Sequence, residues 1–266
     1  MKKIIDLRVT LSERVGAQCA LLKAKPVEGH LPECIPGQFA QLRVDDASTF
    51  LRRPISIHDV EGDEISFLVQ EVGKGTHWLC SLKEGDILNA VLPLGNGFTI
   101  PSSEFKVLSS KLTDSILLIG GGVGVAPLLF LGKRLKTQGV KPTFLLGART
   151  KAQLMRLDAF REIGEVLVTT EDGSEGERGF VTQHSQLSMD RGKWSIIYTC
   201  GPMPMMKAVA KLARERGIAC EVSLENRMAC GVGACLCCVE ELADGHNHCV
   251  CTEGPVFNIN DLKTED

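Results

Sequence analysis

Residues 115–132 read Ser-Ile-Leu-Leu-Ile-Gly-Gly-Gly-Val-Gly-Val-Ala-Pro-Leu-Leu-Phe-Leu-Gly, a stretch without a single charge. Its length approaches that of a membrane-spanning helix, but five glycines (120, 121, 122, 124 and 132) and Pro127 break it into a strand, a loop and a helix. Glycines let backbone approach a ligand closely. The N-terminus of the following helix adds unpaired N–H groups and a partial positive charge, so the loop suits a pyrophosphate. It departs from the usual dinucleotide fingerprint. Pro127 stands where the third glycine would be, and Gly147-Ala148-Arg149, closing the next predicted strand, brings no acid to a ribose. By itself the loop also reads as a plain strand-to-helix turn, the lesser of the two readings.

Outward from this loop, Phe105 to Leu224 alternate apolar strands with amphipathic helical stretches, which predicts an α/β unit with a parallel sheet. Expected strands are Ser115 to Ile119, Thr143 to Leu146, Val166 to Thr169 and Ser195 to Thr199. Expected helices are Ala126 to Gln138, Lys151 to Ile163 and Pro204 to Glu215. A second loop, Cys200-Gly201-Pro202-Met203-Pro204-Met205-Met206, again closes a strand and opens a helix, and two such loops at strand carboxyl ends form one crevice. Gly201 and Pro202 shape that site, whereas Met205 and Met206 read as core filler. Glu171-Asp172-Gly173-Ser174 is, on its own, a turn.

Residues 1–104 follow a different rhythm. Short apolar runs, Ile4 to Val9, Phe39 to Val44, Ile65 to Val69 and Ile87 to Val91, are separated by Pro36-Gly37, Glu61-Gly62-Asp63, Glu84-Gly85-Asp86 and Gly95-Asn96-Gly97. That punctuation predicts a small antiparallel barrel or sandwich, with one short helix over Thr76 to Leu82. The expected organisation is therefore three domains, 1–104, 105–224 and a Cys/Gly-rich 225–266.

Composition narrows the function. Thirty basic against thirty-three acidic residues, for a net charge of -3, give no basic field for nucleic acid. Met-Lys-Lys-Ile-Ile-Asp meets an acid too soon for a signal peptide, and a soluble cytoplasmic protein is expected. Eleven cysteines are unusual for such a protein. Cys19, Cys34, Cys80, Cys200 and Cys220 lie in apolar surroundings and read as small buried hydrophobes. The other six, Cys230, Cys235, Cys237, Cys238, Cys249 and Cys251, are crowded together, and a reducing compartment favours metal over disulfides.

Cys230-x4-Cys235-x2-Cys238, followed by Cys251, has the plant-type spacing of a [2Fe–2S] cluster. Gly231, Gly233 and Ala234 allow backbone amides to approach the sulfurs. The rival is tetrahedral zinc, kept open by His246 and His248, although only one C-x2-C pair is clean. Cys237 and Cys249 are spare neighbours, with Cys249 the substitute for Cys251 as fourth ligand.

Read with Arg53-Pro54-Ile55-Ser56 and Gly73-Lys74-Gly75-Thr76, these loops resemble the ferredoxin reductase-like flavoproteins over nearly the whole chain. Residues Ser223 to Cys235 (Ser-Leu-Glu-Asn-Arg-Met-Ala-Cys-Gly-Val-Gly-Ala-Cys) and Val250 to Phe257 (Val-Cys-Thr-Glu-Gly-Pro-Val-Phe) are similar, more narrowly, to the electron-transfer subunits of class 1B, NAD-dependent dihydroorotate dehydrogenases. The resemblance implies FAD held by Arg53, Pro54, Ile55, Ser56, Leu68, Val69, Gln70, Gly75 and Thr76. It implies NAD held by Gly121, Gly122, Gly124, Pro127, Cys200, Gly201 and Pro202, and a [2Fe–2S] cluster on Cys230, Cys235, Cys238 and Cys251. The Cys237-Cys238 doublet departs from the pattern, in which a small residue precedes the third ligand.

The same resemblance implies an α+β multidomain oxidoreductase subunit of pyrimidine biosynthesis. FAD would exchange a hydride with the nicotinamide at N5 and single electrons with the cluster. Proton abstraction from dihydroorotate would fall to a separate FMN-bearing catalytic subunit, two of each chain forming a heterotetramer, with net flow through FMN, cluster and FAD to NAD+. This chain itself then needs no catalytic acid or base. NAD is the expected coenzyme, although Arg149 would suit an NADP phosphate equally. A subunit of a sulfide dehydrogenase, hydrogenase or ferredoxin:NADP reductase complex is the alternative within the class. A zinc-stabilised interaction module is the alternative outside it. His58 and His77 flank the flavin motifs and read as solvent-facing or capping residues.

Overall fold

The computed structural model describes residues 2–16, 18–100, 115–189 and 194–263. The expected boundary between residues 104 and 105 lies outside them. Six strands, β1 (Lys3–Gly16), β2 (Cys19–Pro26), β3 (Phe39–Leu42), β4 (Arg53–Glu61), β5 (Glu64–Gln70) and β6 (Ile87–Leu94), close an antiparallel barrel in the order β1-β2-β5-β4-β3-β6. Helix α1 (Lys74–Ser81) follows β5. Strand alternation sorts the side chains. Ala40, Leu42, Ile57, Phe67 and Val69 fill the barrel, while Phe39, one position out of phase, faces away from it into the core shared with the cysteine-rich segment.

The second layer is a seven-stranded sheet built from β7 (Ile116–Gly121), β8 (Thr143–Ala148), β9 (Glu165–Thr170), β10 (Glu177–Arg178), β11 (Ile196–Cys200) and β12 (Ala219–Ser223), with β15 (Val256–Asn258) at one edge. All its pairings are parallel except β12 with β15. The fold expected from the alternation is thus the observed one. Leu117 and Ile119 pack beneath one face, on α5 (Met203–Arg216), and Ile116 and Leu118 on the other, on α2 (Ala126–Thr137).

One expected helix differs. Lys151 to Ile163 is not continuous: a 3-10 turn, Lys151–Gln153, is separated from the short α3 (Leu157–Arg161) by Arg156 in the left-handed region, φ 59°. Met155 and Phe160 are still buried, so the apolar spacing reported burial correctly and helix continuity wrongly. A further short helix, α4 (Ser185–Met189), precedes β11.

The cysteine-rich segment contains only three-residue strands, β13 (Val239–Glu241) and β14 (Asn247–Cys249), before β15. It is anchored twice. β15 extends the parallel layer, and Asn96 at the end of the barrel donates from Nδ2 to the Glu253 and Val256 carbonyls and accepts from Val256 N–H, at 2.8 to 3.0 Å.

Candidate functional site

Arg53 opens β4, and its Nη1 donates to the Leu51 carbonyl at 2.6 Å. A Cβ built on Gly75, in the first turn of α1, would lie 2.5 Å from Arg53 Nε, so the guanidinium lies directly on this glycine and a methyl there would push it aside. The two motifs, far apart in sequence, therefore form one cradle of cationic fork and helix N-terminus, which fits the diphosphate of a flavin dinucleotide. Thr76 Oγ1 accepts from Val72 and Gly73 N–H and donates to the Gly73 carbonyl, which pins the turn that presents this helix end. Val69 points into the barrel and Leu68 into the seam with the α/β layer, while Gln70 is half-buried. Gly75→Ala is expected to displace Arg53 and to lower the FAD-to-protein ratio of the purified chain at least tenfold, read from its visible spectrum. Full flavin content would refute the cradle.

The two glycine loops meet where the strand order reverses, since β7 runs on through α2 to β8 while β11 lies on its other side. A Cβ on Gly124 would stand 2.4 Å from Gly201 Cα, and one on Gly121 would stand 2.6 Å from Met205 Sδ. The loops are packed backbone against backbone. Met205, expected to be filler, wedges against Gly121 and Gly201, whereas Met206 is buried core. Gly122 takes the left-handed conformation, φ 55°, with nothing within 4 Å of its Cβ position, so that side of the loop is open. Pro127 is buried in the first turn of α2. Burial pushes the Cys200 thiol up to about 12, keeping it neutral. Arg149 is exposed, and Glu171 to Ser174 form the expected turn, with Ser174 N–H on Asp172 Oδ1.

His58 overturns its sequence reading. It is 1% exposed, and its Nδ1 donates to the carbonyl of Ala126, the first residue of α2, at 2.7 Å. Lys133 of α2 adds ion pairs to Asp59, at 2.5 Å, and to Glu61. The strand bearing the Arg-Pro-Ile-Ser motif is thereby tied to the helix that follows the first glycine loop. Desolvation, aided by the nearby Arg156, Lys133 and Lys23, lowers the His58 pKa to about 4 against the Ala126 carbonyl's opposing pull. Below pH 6.5 the unfolded chain binds a proton that the folded chain refuses until about pH 4, so stability falls across that window, by up to about 3 kcal/mol. The difference between wild type and His58→Asn in urea unfolding should shrink by that amount on going from pH 7 to 4. A constant difference would disprove it. His77, exposed and paired with Glu71, matches its reading.

The segment from Cys230 pairs its sulfurs, Cys230 with Cys235 and Cys238 with Cys251. Gly233 N–H donates to Cys251 Sγ at 3.2 Å and Cys251 N–H to Cys238 Sγ at 3.4 Å. Val232 N–H, at 3.4 Å, and then Cys235 and Ala234 bring the Cys230 thiol down to about 6. Burial and the neighbouring Cys238 push Cys251 up to about 12. Amides aimed at sulfur around a charged and a protonated thiol are a donor set ready to lose its last protons to a metal. Among the described residues no three His, Cys, Asp or Glu side chains enclose a single ion, and a two-iron cluster places its thiolates in pairs instead. Both nitrogens of His248 are engaged, Nε2 by Asp244 at 3.0 Å and Nδ1 by Glu253 at 2.6 Å, and both acids raise its pKa. This removes His248 from a zinc set. Cys237 is exposed and Cys249 half-buried, its thiol raised by burial and by Cys238, Cys230 and Cys235 beside it.

Residues 225–263 match the family described as the iron-sulfur cluster binding domain of dihydroorotate dehydrogenase B, and residues 118–211 the oxidoreductase NAD-binding domain. The dihydroorotate dehydrogenase B (NAD(+)) electron transfer subunit of Caldanaerobacter subterraneus subsp. tengcongensis is 42% identical, over 84% of each chain. That of Fusobacterium nucleatum subsp. nucleatum is 36% identical, over 96% of this chain and 98% of its own. Among solved structures, a chain of the NADH-dependent reduced ferredoxin–NADP oxidoreductase superposes with a TM-score of 0.82 at 34% identity, covering 97% of this chain and 89% of that one. The flavohem-like FAD/NAD binding domain of a Vibrio cholerae nitric oxide dioxygenase, at 20% identity and a TM-score of 0.69 over 80% of this chain and 94% of its own, shares the fold. With relatives this similar along nearly its whole length, the chain belongs to the family of dihydroorotate dehydrogenase B electron transfer subunits.

Proposed function

We propose that this chain accepts electrons from an FMN-bearing subunit that oxidises dihydroorotate and delivers them to NAD+, in the cytoplasm, as half of a heterotetramer with two copies of each chain. The observation that carries the reading is the seating of the cysteine loop, at Gly231 beside Cys230, against Gln41 of β3, the strand paired with the flavin-motif strand β4. When bound, FAD exchanges a hydride with the nicotinamide and single electrons with a [2Fe–2S] cluster. In this reading Arg53 and the α1 N-terminus hold the flavin diphosphate, with Pro54, Ile55, Ser56 and Leu68 to Gln70 along the flavin. Gly121, Gly122, Gly124, Pro127, Cys200, Gly201 and Pro202 form the nicotinamide crevice, and Cys230, Cys235, Cys238 and Cys251 ligate the irons. The units 1–104, 105–224 and 225–266 serve flavin, NAD and cluster, with β15 lent by the third to the sheet of the second. Among the described residues no helix is long and apolar enough to cross a membrane.

The resemblance to the NADH-dependent reduced ferredoxin–NADP oxidoreductase chain favours one second reading, an equivalent subunit serving another partner. The visible spectrum of the complex purified anaerobically from its native host separates them. Dihydroorotate without nicotinamide should bleach flavin and cluster bands together. Bleaching by NADH but not by dihydroorotate, with a different co-purified chain, would leave the reductase and remove the orotate assignment. Faster oxidation of NADPH than NADH would reverse the coenzyme preference.

A further inference from the structure

Gln41 on β3 is 0% exposed, and neither end of its side-chain amide has a hydrogen-bond partner among the described residues. A buried amide left this way is costly, and native proteins place one where a ligand or an unseen group completes it. Its position says which group. Strand alternation sends Ala40 and Leu42 into the barrel and Phe39 outward, into the core that contains Cys238 and Cys251, so Gln41 shares the outward face with Phe39. Its direct partner across the sheet is Pro54 of the Arg-Pro-Ile-Ser strand. On the other side lies Gly231, next to Cys230. A Cβ there would stand 2.7 Å from Gln41 Cγ and 3.2 Å from its Nε2, and Gly231 has φ +71°. Only glycine lets the cysteine loop settle onto this amide.

We propose that Gln41 is a positioning and tuning residue of the electron path: its amide N–H donates to the sulfur side of the iron–sulfur cluster, linking the cysteine loop to the flavin-bearing strand and raising the cluster's reduction potential. The inference rests on the cluster reading of the four cysteines given above. An N–H directed at cluster sulfur stabilises the extra negative charge of the reduced form, so it favours reduction. A shape-matched side chain without the donor withdraws that stabilisation and leaves the fold intact, because the amide makes no other hydrogen bond that would be broken.

The test is an anaerobic redox titration of the full chain carrying both cofactors, with the cluster followed by electron paramagnetic resonance and the flavin by absorbance. Gln41→Met should shift the oxidised-to-reduced equilibrium of the cluster at least tenfold toward the oxidised form, about 59 mV for one electron, with the flavin shifted less than twofold. Gln41→Glu, which replaces the donor by an acceptor of the same shape, should shift it further in the same direction. A cluster midpoint unchanged in both variants, or a shift confined to the flavin, would overturn the inference while leaving the family reading intact. A wild-type chain that holds flavin but takes up no iron would overturn both.

Discussion

Gly124→Ala is expected to lower kcat/KM for NADH about 100-fold while leaving flavin and cluster contents unchanged. The added methyl would stand 2.4 Å from Gly201 Cα and 2.6 Å from both Gly201 N and the Cys200 carbonyl oxygen. These are backbone atoms, so no rotamer relieves the contact. The two loops must separate at the switch point, and overpacking of this kind costs about 1 to 3 kcal/mol. The consequence for rate is larger than for stability, because displacing a reacting group by about 1 Å can cost about 100-fold. Steady-state oxidation of NADH with an artificial acceptor measures the effect. Because the proposed flavin and cluster sites, at Arg53 and Cys230, lie outside these loops, a variant within twofold of wild type would show that these loops do not form the nicotinamide crevice.

Cys235→Ala is expected to abolish the cluster and electron transfer from dihydroorotate, with NADH reduction of the flavin close to wild type. Cys235 is exposed on the loop between Cys230 and Cys238, so the substitution creates no core cavity. It removes one thiolate, and with it the side-chain donor at 235 that helps to hold down the Cys230 pKa, while the backbone N–H of residue 235 stays. The backbone of this loop is unusual: Gly231 and Gly233 take left-handed conformations, and so does Leu236, at φ 57° and 64% exposed. Such backbone persists when surrounding interactions over-determine it. Without metal the loop loses those interactions, and binding of the catalytic partner should be lost with the cluster. β15 and the Asn96 bonds hold the rest of the segment, so the melting transition of barrel and sheet should remain. Iron content, size-exclusion chromatography with the partner subunit and flavin reduction by NADH are the three readouts. Intact assembly with an iron-free site would separate cluster from docking.

Much of this site was legible from residue types in order. Gly120 to Pro127 after an apolar run, Cys-Gly-Pro after another, and the Cys230, Cys235, Cys238 and Cys251 spacing each state a local geometry, and local geometry is what sequence patterns encode. The misses share a cause. Arg156 breaks an apolar spacing that reads as one helix, because burial of Met155 and Phe160 is compatible with more than one backbone path. His58, two residues past Ser56, was indistinguishable from a surface histidine until the Ala126 carbonyl, sixty-eight positions away, was placed beside it. Gln41 carried one signal, a lone polar residue in the run Phe39 to Leu42, but that signal does not name what the amide meets.

The sequence by itself determined an antiparallel β unit and an α/β layer through their periodicities, the glycine loops through their strand-to-helix context, and a metal-binding cysteine set of iron–sulfur spacing. The tertiary structure alone decided which distant groups touch: Gly75 with Arg53, Gly124 with Gly201, His58 with Ala126, and Gly231 with Gln41. Periodicity and spacing report what a chain does within a few residues of itself. Close contacts between units depend on how strands pair and helices cover them, and at each of these contacts the space left for a methyl or a lone pair is set by residues from another part of the chain.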